Sequence, residues 1–194
     1  MIKSLLTSAA CALCLTTTSV VAETWTLDSD ASVVGFGSVK NDTTGEAHTI
    51  SGVSGTVATD GTVSVALDLT TVQTNIDIRN ERIGEHVFTN EATATLTASV
   101  DIAAMEALGV GEHMVTEVEG DLNLLGKAIP VYLDMFIMRT GEGQVLATSQ
   151  SMLFVSTEDA GIDAGIDVLQ ELASLSGITR TFPVTLRFLF NADA

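Results

Sequence analysis

Arg79 and Arg82 lie three positions apart, and His86 follows four residues later, in a segment that also carries Asp77, Glu81 and Glu85. Two guanidinium groups at that spacing could hydrogen-bond a quinone or phosphate headgroup, because each offers planar, paired N–H donors. The same arginines could equally pair with the neighbouring carboxylates and brace a loop. Their scarcity gives them weight: the 194 residues hold 8 Lys+Arg against 25 Asp+Glu, a formal net charge of −17. His48, His86 and His113 are too dispersed for a structural zinc site and have no nearby cysteine to join them. Asp159, Asp163 and Asp167 recur every four residues and would share one helix face. They lack the spacing of a compact calcium loop, so a solvated acidic face is the expectation. The chain has no G-x-S-x-G, no H-E-x-x-H and no phosphate-binding glycine loop. No catalytic residue, metal ligand or cofactor is assigned, and a non-enzymatic protein is expected. Asn41-Asp42-Thr43 matches a glycosylation sequon and reads as a turn.

The elements that must position the arginines are strands. With 46% hydrophobic and only 17% charged residues, the chain can bury a full core despite its acidity. The charge argues against nucleic acid, whose phosphates need clustered Lys and Arg, and against docking on anionic lipid. Residues 1–22 read as an export signal, with Lys3, an apolar stretch from Leu5 to Val21, and small residues at Val20-Val21-Ala22. Both cysteines, Cys11 and Cys14, lie inside it. Cleavage would leave 7 basic and 25 acidic residues and one domain over 23–194.

Val63, Val65, Leu67 and Leu69 alternate with polar or small residues, the period that puts one set of side chains on each sheet face. Asp60-Gly61 ahead of them makes 49–59 and 62–72 a hairpin. Alternation returns at Ala94 to Ile102, Val131 to Ile137 and Val184 to Phe190; Thr24–Leu27, Val33–Val39, Met114–Leu124 and Gln144–Val155 complete eight or nine strands. That count points to an all-β sheet closed on itself, because closure removes exposed edges. Two segments break the period. Asn75–Phe88 fits a helical turn or ordered loop, and Asp159–Ser176 fits one amphipathic helix stopped by Gly177, with Pro183 near the start of the last strand. Strand phase makes Phe36, Met135, Phe136, Met138, Met152, Phe154, Phe188 and Phe190 candidates for the barrel interior, although Met135 and Phe136, being adjacent, must face opposite ways.

The segment Thr74-Asn75-Ile76-Asp77-Ile78-Arg79-Asn80-Glu81-Arg82-Ile83-Gly84-Glu85-His86-Val87-Phe88 resembles the signature of the YceI-like family, in which a strand ends and an Arg-containing turn leads to a Phe. Trp25-Thr26-Leu27-Asp28 with Ser32-Val33-Val34-Gly35-Phe36 is similar to that family's first hairpin, and Gly120 to Val131 to a later one. Leu125 departs from the family, which often carries His in that turn. The resemblance implies an eight-stranded antiparallel lipocalin-like barrel with one or two short helices. It would hold a polyisoprenoid or isoprenoid quinone-like amphiphile in an apolar lumen, in the periplasm. The ligand-binding residues expected on both grounds are Phe36, Arg79, Arg82, Phe88, Met135, Met138, Met152, Phe154, Phe188 and Phe190.

Burying about ten methylenes at ~0.8 kcal/mol each would give ~8 kcal/mol, which corresponds to micromolar binding. The expected partner is therefore a long-chain isoprenoid lipid, with a transient membrane-protein acceptor and a homodimer as further options. Two other classes compete with this carrier. An eight-stranded outer-membrane barrel would share the strand count and export signal, but one Trp and one Tyr are few for two aromatic girdles. An enzyme acting on a lumen-bound amphiphile ranks last for want of a catalytic group.

Overall fold

A computed structural model describes residues 24–193. The expected signal, 1–22, with Cys11 and Cys14, lies outside the described residues. Ten strands follow: β1 (Trp25–Leu27), β2 (Val33–Lys40), β3 (Thr44–Val57), β4 (Thr62–Gln73), β5 (Thr93–Ser99), β6 (His113–Leu124), β7 (Lys127–Gly141), β8 (Gln144–Ser149), β9 (Leu153–Ser156) and β10 (Thr181–Ala192). They form one sheet with antiparallel pairings, and β10 closes it by pairing with both β2 and β8. The ring has eight staves, because β1 extends β2 and β9 extends β8. β1 pairs with β10 and β3, on the same two neighbours as β2, and β9 pairs with β10 beyond the end of β8.

Turn chemistry sets the hairpin registers. Gly61 has φ +84°, the Ala58 N–H donates to Thr62 O (2.8 Å), and the Asp60 carboxylate accepts the Thr62 N–H (2.9 Å). The sequon asparagine, Asn41, and Asp42 take positive φ in the β2–β3 turn, and Asn41 Oδ1 accepts the Ser176 N–H (2.9 Å). That residue serves as turn and latch.

Four short helices interrupt the strands: α1 (Asp77–Arg82), which runs into a π-helical turn at Ile83–Val87, α2 (Ile102–Glu106), α3 (Thr157–Ala160) and α4 (Asp163–Leu172). Three expectations are corrected here. The strand expected to reach Ile102 stops at Ser99, because Asp101 accepts the Ala104 N–H (3.0 Å) and caps α2. The single helix expected over Asp159–Ser176 is two, divided at Gly161, whose φ of +72° ends α3. Helix α4 stops at Leu172, where Ser174 turns to φ +50°, and not at Gly177. Asp159 therefore sits on a different helix from Asp163 and Asp167, and the latter two pair with Arg180 at 3.6 and 2.5 Å.

Inward residues fill one end of the barrel. Trp25, Val53, Val65 and Val145 are at most 1% exposed there. Arg139 straps this end shut, donating to the carbonyls of Glu106 (3.0 Å), Leu108 (3.4 Å), Gly141 (3.3 Å) and Glu142. The outward positions of β6 include Glu117, Glu119 and Asp121, all exposed. A lipid-facing barrel wall is apolar with a polar lumen. This barrel is the reverse, acid outside and apolar within.

Candidate ligand site

The other half of the barrel is hollow. A cavity of about 470 Å³ opens between the staves, lined by Val34 and Phe36 of β2, Leu67 and Leu69 of β4, Val131 and Leu133 of β7, Leu153 and Val155 of β9, and Phe182 to Phe188 at alternate positions of β10. Ile83, Val87 and Phe88, in and just after the π-helical turn, roof it beside Ile166 and Leu169 of α4. These two roof pieces are pressed together at Gly165. A Cβ there would lie 2.3 Å from the His86 carbonyl oxygen and 2.7 Å from Val87 Cα, so only glycine permits the approach.

One rim of the cavity is polar. The period of two that turns Phe36 inward also turns Ser38 and Lys40 inward, and on β3 it brings Glu46 and His48 to the same wall. Arg79 and Arg82 reach it from α1. Glu46 is bracketed by two cations, accepting from Lys40 Nζ (2.9 Å) and from an Arg79 terminal nitrogen (2.8 Å). The other Arg79 terminal nitrogen donates to Thr74 O (2.6 Å). His48 Nε2 and Ser38 Oγ share a hydrogen bond of 2.9 Å, and the imidazole ring lies 5.1 Å from the Phe36 ring. Two buried polar atoms in this cluster, Arg79 Nε and His48 Nδ1, have no hydrogen-bond partner among the described residues. Arg82 forms no ion pair among them either. Three cations against one carboxylate thus face an apolar chamber in a strongly acidic protein.

This wall responds to pH. Burial depresses the His48 pKa below its ordinary 6.5, the Arg79 and Lys40 charges press it the same way, and Glu46 only partly opposes them. Burial raises the Glu46 carboxyl, but hydrogen bonds from Lys40 and Arg79 outweigh it and hold the pKa below 4.5. In both cases the unfolded chain takes up protons at a higher pH than the folded one, so stability falls as pH drops. The melting temperature is expected to begin falling near pH 6.5, where unfolded His48 charges. His48→Gln should flatten the decline between about pH 6.5 and 5 while leaving the loss below 4.5 intact, as a thermal melt at each pH would show.

The ten residues singled out from sequence separate into two groups. Phe36, Arg79, Arg82, Phe88 and Phe188 line the cavity. Met135 and Phe190 point inward but lie in the packed core rather than on the cavity wall. Met138 is half-buried at the far end of β7, beside His113 on β6. Met152 and Phe154 lie outside the barrel, 59% and 64% exposed. The phase explains this correction: buried Val145 and core-packed Ala147 put odd positions inward, and Leu153 and Val155 continue that face. Of the adjacent pair, Met135 is the inward one, and Phe136 stacks on His113 at 4.9 Å. Sequence reading missed Ser38, Lys40, Glu46 and His48, although continuing the alternation beyond Phe36 and across the hairpin would have reached all four. His86 lies 3.7 Å from Glu85 and not on the cavity wall.

The fold is shared with solved proteins. A polyisoprenoid-binding domain from Saccharophagus degradans, implicated in plant cell wall breakdown, superposes with a TM-score of 0.85 at 33% identity, over 87% of this chain and 98% of that one. Burkholderia cenocepacia BcnA shares the fold, with a TM-score of 0.60 at 13% identity over 84% of this chain and 98% of that one. No curated protein matches the chain. The family model of the YceI-like domain matches residues 25–190. The Arg-containing turn, the first hairpin and the closed antiparallel ring all fall within that match, and the chain belongs to the YceI-like family.

Proposed function

We propose that this protein is a non-catalytic carrier for an isoprenoid amphiphile, holding the chain in the apolar cavity and the head at the rim of Arg79, Arg82 and His48. The observation that carries the reading is the pairing of a 470 Å³ apolar chamber with two buried polar atoms at its rim, Arg79 Nε and His48 Nδ1, that have no partner among the described residues. A buried polar atom without a partner costs roughly 1–3 kcal/mol, which a ligand oxygen would recover on binding. The polyisoprenoid-binding relative supports the same class of ligand. Residues 1–22 fit an export signal, and with the family membership they support a periplasmic site of action. An acidic exterior keeps such a carrier soluble and away from anionic membrane.

Organic extraction of the purified native protein, followed by mass spectrometry, tests the reading. An isoprenoid in stoichiometric amount is the expected result, and finding no lipid under several expression conditions would sink it. Arg82→Gln separates head recognition from loop bracing. Arg82 makes no ion pair to lose, so the melting temperature should hold while ligand content drops by about tenfold to a hundredfold, the worth of one charged hydrogen bond. A lower melting temperature with unchanged ligand content would mean that Arg82 only braces the loop.

A further inference from the structure

The cavity stops at one level all the way across the barrel. On β4 the last inward residue to line it is Leu67, and the next one down, Val65, is fully buried. On β7 lining ends at Leu133 with Met135 buried beneath, and on β10 it ends at Phe188 with Phe190 buried beneath. These three lower residues lie one alternation, about 7 Å, below the last lining ones. Together with Trp25 and Val145 they make a packed floor halfway down the barrel. Phe188 and Phe190 meet edge to face at 6.4 Å, so the floor is closed by ring packing and not by a loop that could swing aside.

From this floor, and resting on the carrier reading above, we infer that the protein selects short isoprenoid chains of about four units, with Met135 and Phe190 as the residues that set the limit. The volume gives the length. A dry protein cavity of about 150 Å³ accommodates one benzene, or about 25 Å³ per carbon. At that density 470 Å³ holds about 19 carbons, close to four isoprene units. A longer chain seated with its head at the arginine rim meets the floor, and its remaining units stay in water or must fold back into space that is already filled. Either way, units beyond the fourth add no buried area and no affinity.

The test is a length series of free prenols, from geraniol (two units) through farnesol and geranylgeraniol to solanesol (nine units). Each is presented in the same detergent and measured by competition with a fluorescent polyene fatty acid. From water each five-carbon unit would be worth roughly a thousandfold, but every prenol starts in detergent, so affinity is expected to rise by at least about tenfold per unit up to geranylgeraniol and to change by less than about threefold from there to solanesol. Solanesol binding tenfold tighter than geranylgeraniol would overturn the length limit while leaving the carrier reading standing. Failure of every prenol to compete would sink the carrier reading and the limit with it. Met135→Ala and Phe190→Ala each open the floor from a different stave, and near-UV circular dichroism identifies the variant that keeps its packing. A folded variant should gain at least about fivefold for solanesol over geranylgeraniol relative to the wild type. A folded variant with an unchanged series would show that these side chains do not set the limit.

Discussion

Gly165→Val is expected to unseat α4 from the π-helical turn, lowering stability by about 3 kcal/mol or more, the upper part of the usual overpacking range. The obstacle is backbone: the new Cβ would meet the His86 carbonyl oxygen at 2.3 Å and Val87 Cα at 2.7 Å, neither of which can rotate away as a side-chain tip would. For a domain of this size the loss amounts to about 6–12 °C in melting temperature. Because both displaced pieces roof the cavity, amides across 77–88 should also exchange faster with solvent, and bound ligand should leave sooner. Gly84→Ala is the control. Gly84 lies in the same turn, but a Cβ there has nothing within 4 Å, so this variant should stay within about 0.5 kcal/mol of the wild type. Equal melting temperatures for the two variants would show that the close approach at Gly165 does not hold the roof.

The second large effect belongs to the floor. Trp25 is 1% exposed, and Trp25→Ala is expected to cost about 3–5 kcal/mol through lost burial and the void left behind. Trp25→Phe should cost much less, because the indole Nε1 is a buried donor with no partner among the described residues, and Phe removes it. Far-UV circular dichroism in urea measures both variants without depending on the only tryptophan in the chain. A Phe variant as unstable as the Ala variant would point to a hidden partner for Nε1.

Strand content was legible in the sequence because side-chain alternation is local, and the Asp60-Gly61 turn announced its own hairpin. The Arg-containing turn was legible as a concentration of scarce positive charge in an acidic chain, and the fold puts Arg79 and Arg82 on the cavity wall. The roof was harder to read. Helical spacing over 159–176 runs on across Gly161, and a left-handed residue there is decided by its neighbours as well as by its type. Met152 and Phe154 misled through size. Size alone points large apolar side chains to the interior, whereas Val145 fixes the inward phase and leaves these two outside. The polar wall of Ser38, Glu46 and His48 escaped because inward-facing polar residues look like surface until a partner strand is assigned. The depth of the floor depends on which residues of eight staves share one level, a matter of stagger that no single segment records.

Strand β10 gives the molecule an order of assembly. It is the last strand, yet it alone joins the two ends of the sheet, with Trp25 registered against Ala192 and with β2, β8 and β9 all hydrogen-bonded to it. The meander from β3 to β8 can pair between sequence neighbours as it emerges, by tight turns or across α1 and α2, but the ring has to wait for contacts that span nearly the whole domain, the slowest kind to form. Until the final dozen residues arrive there is an open, curled sheet whose apolar face is bare. The chamber is therefore created in a single late step, and a chain cut short before β10 would have the wall residues of a binding site without its interior.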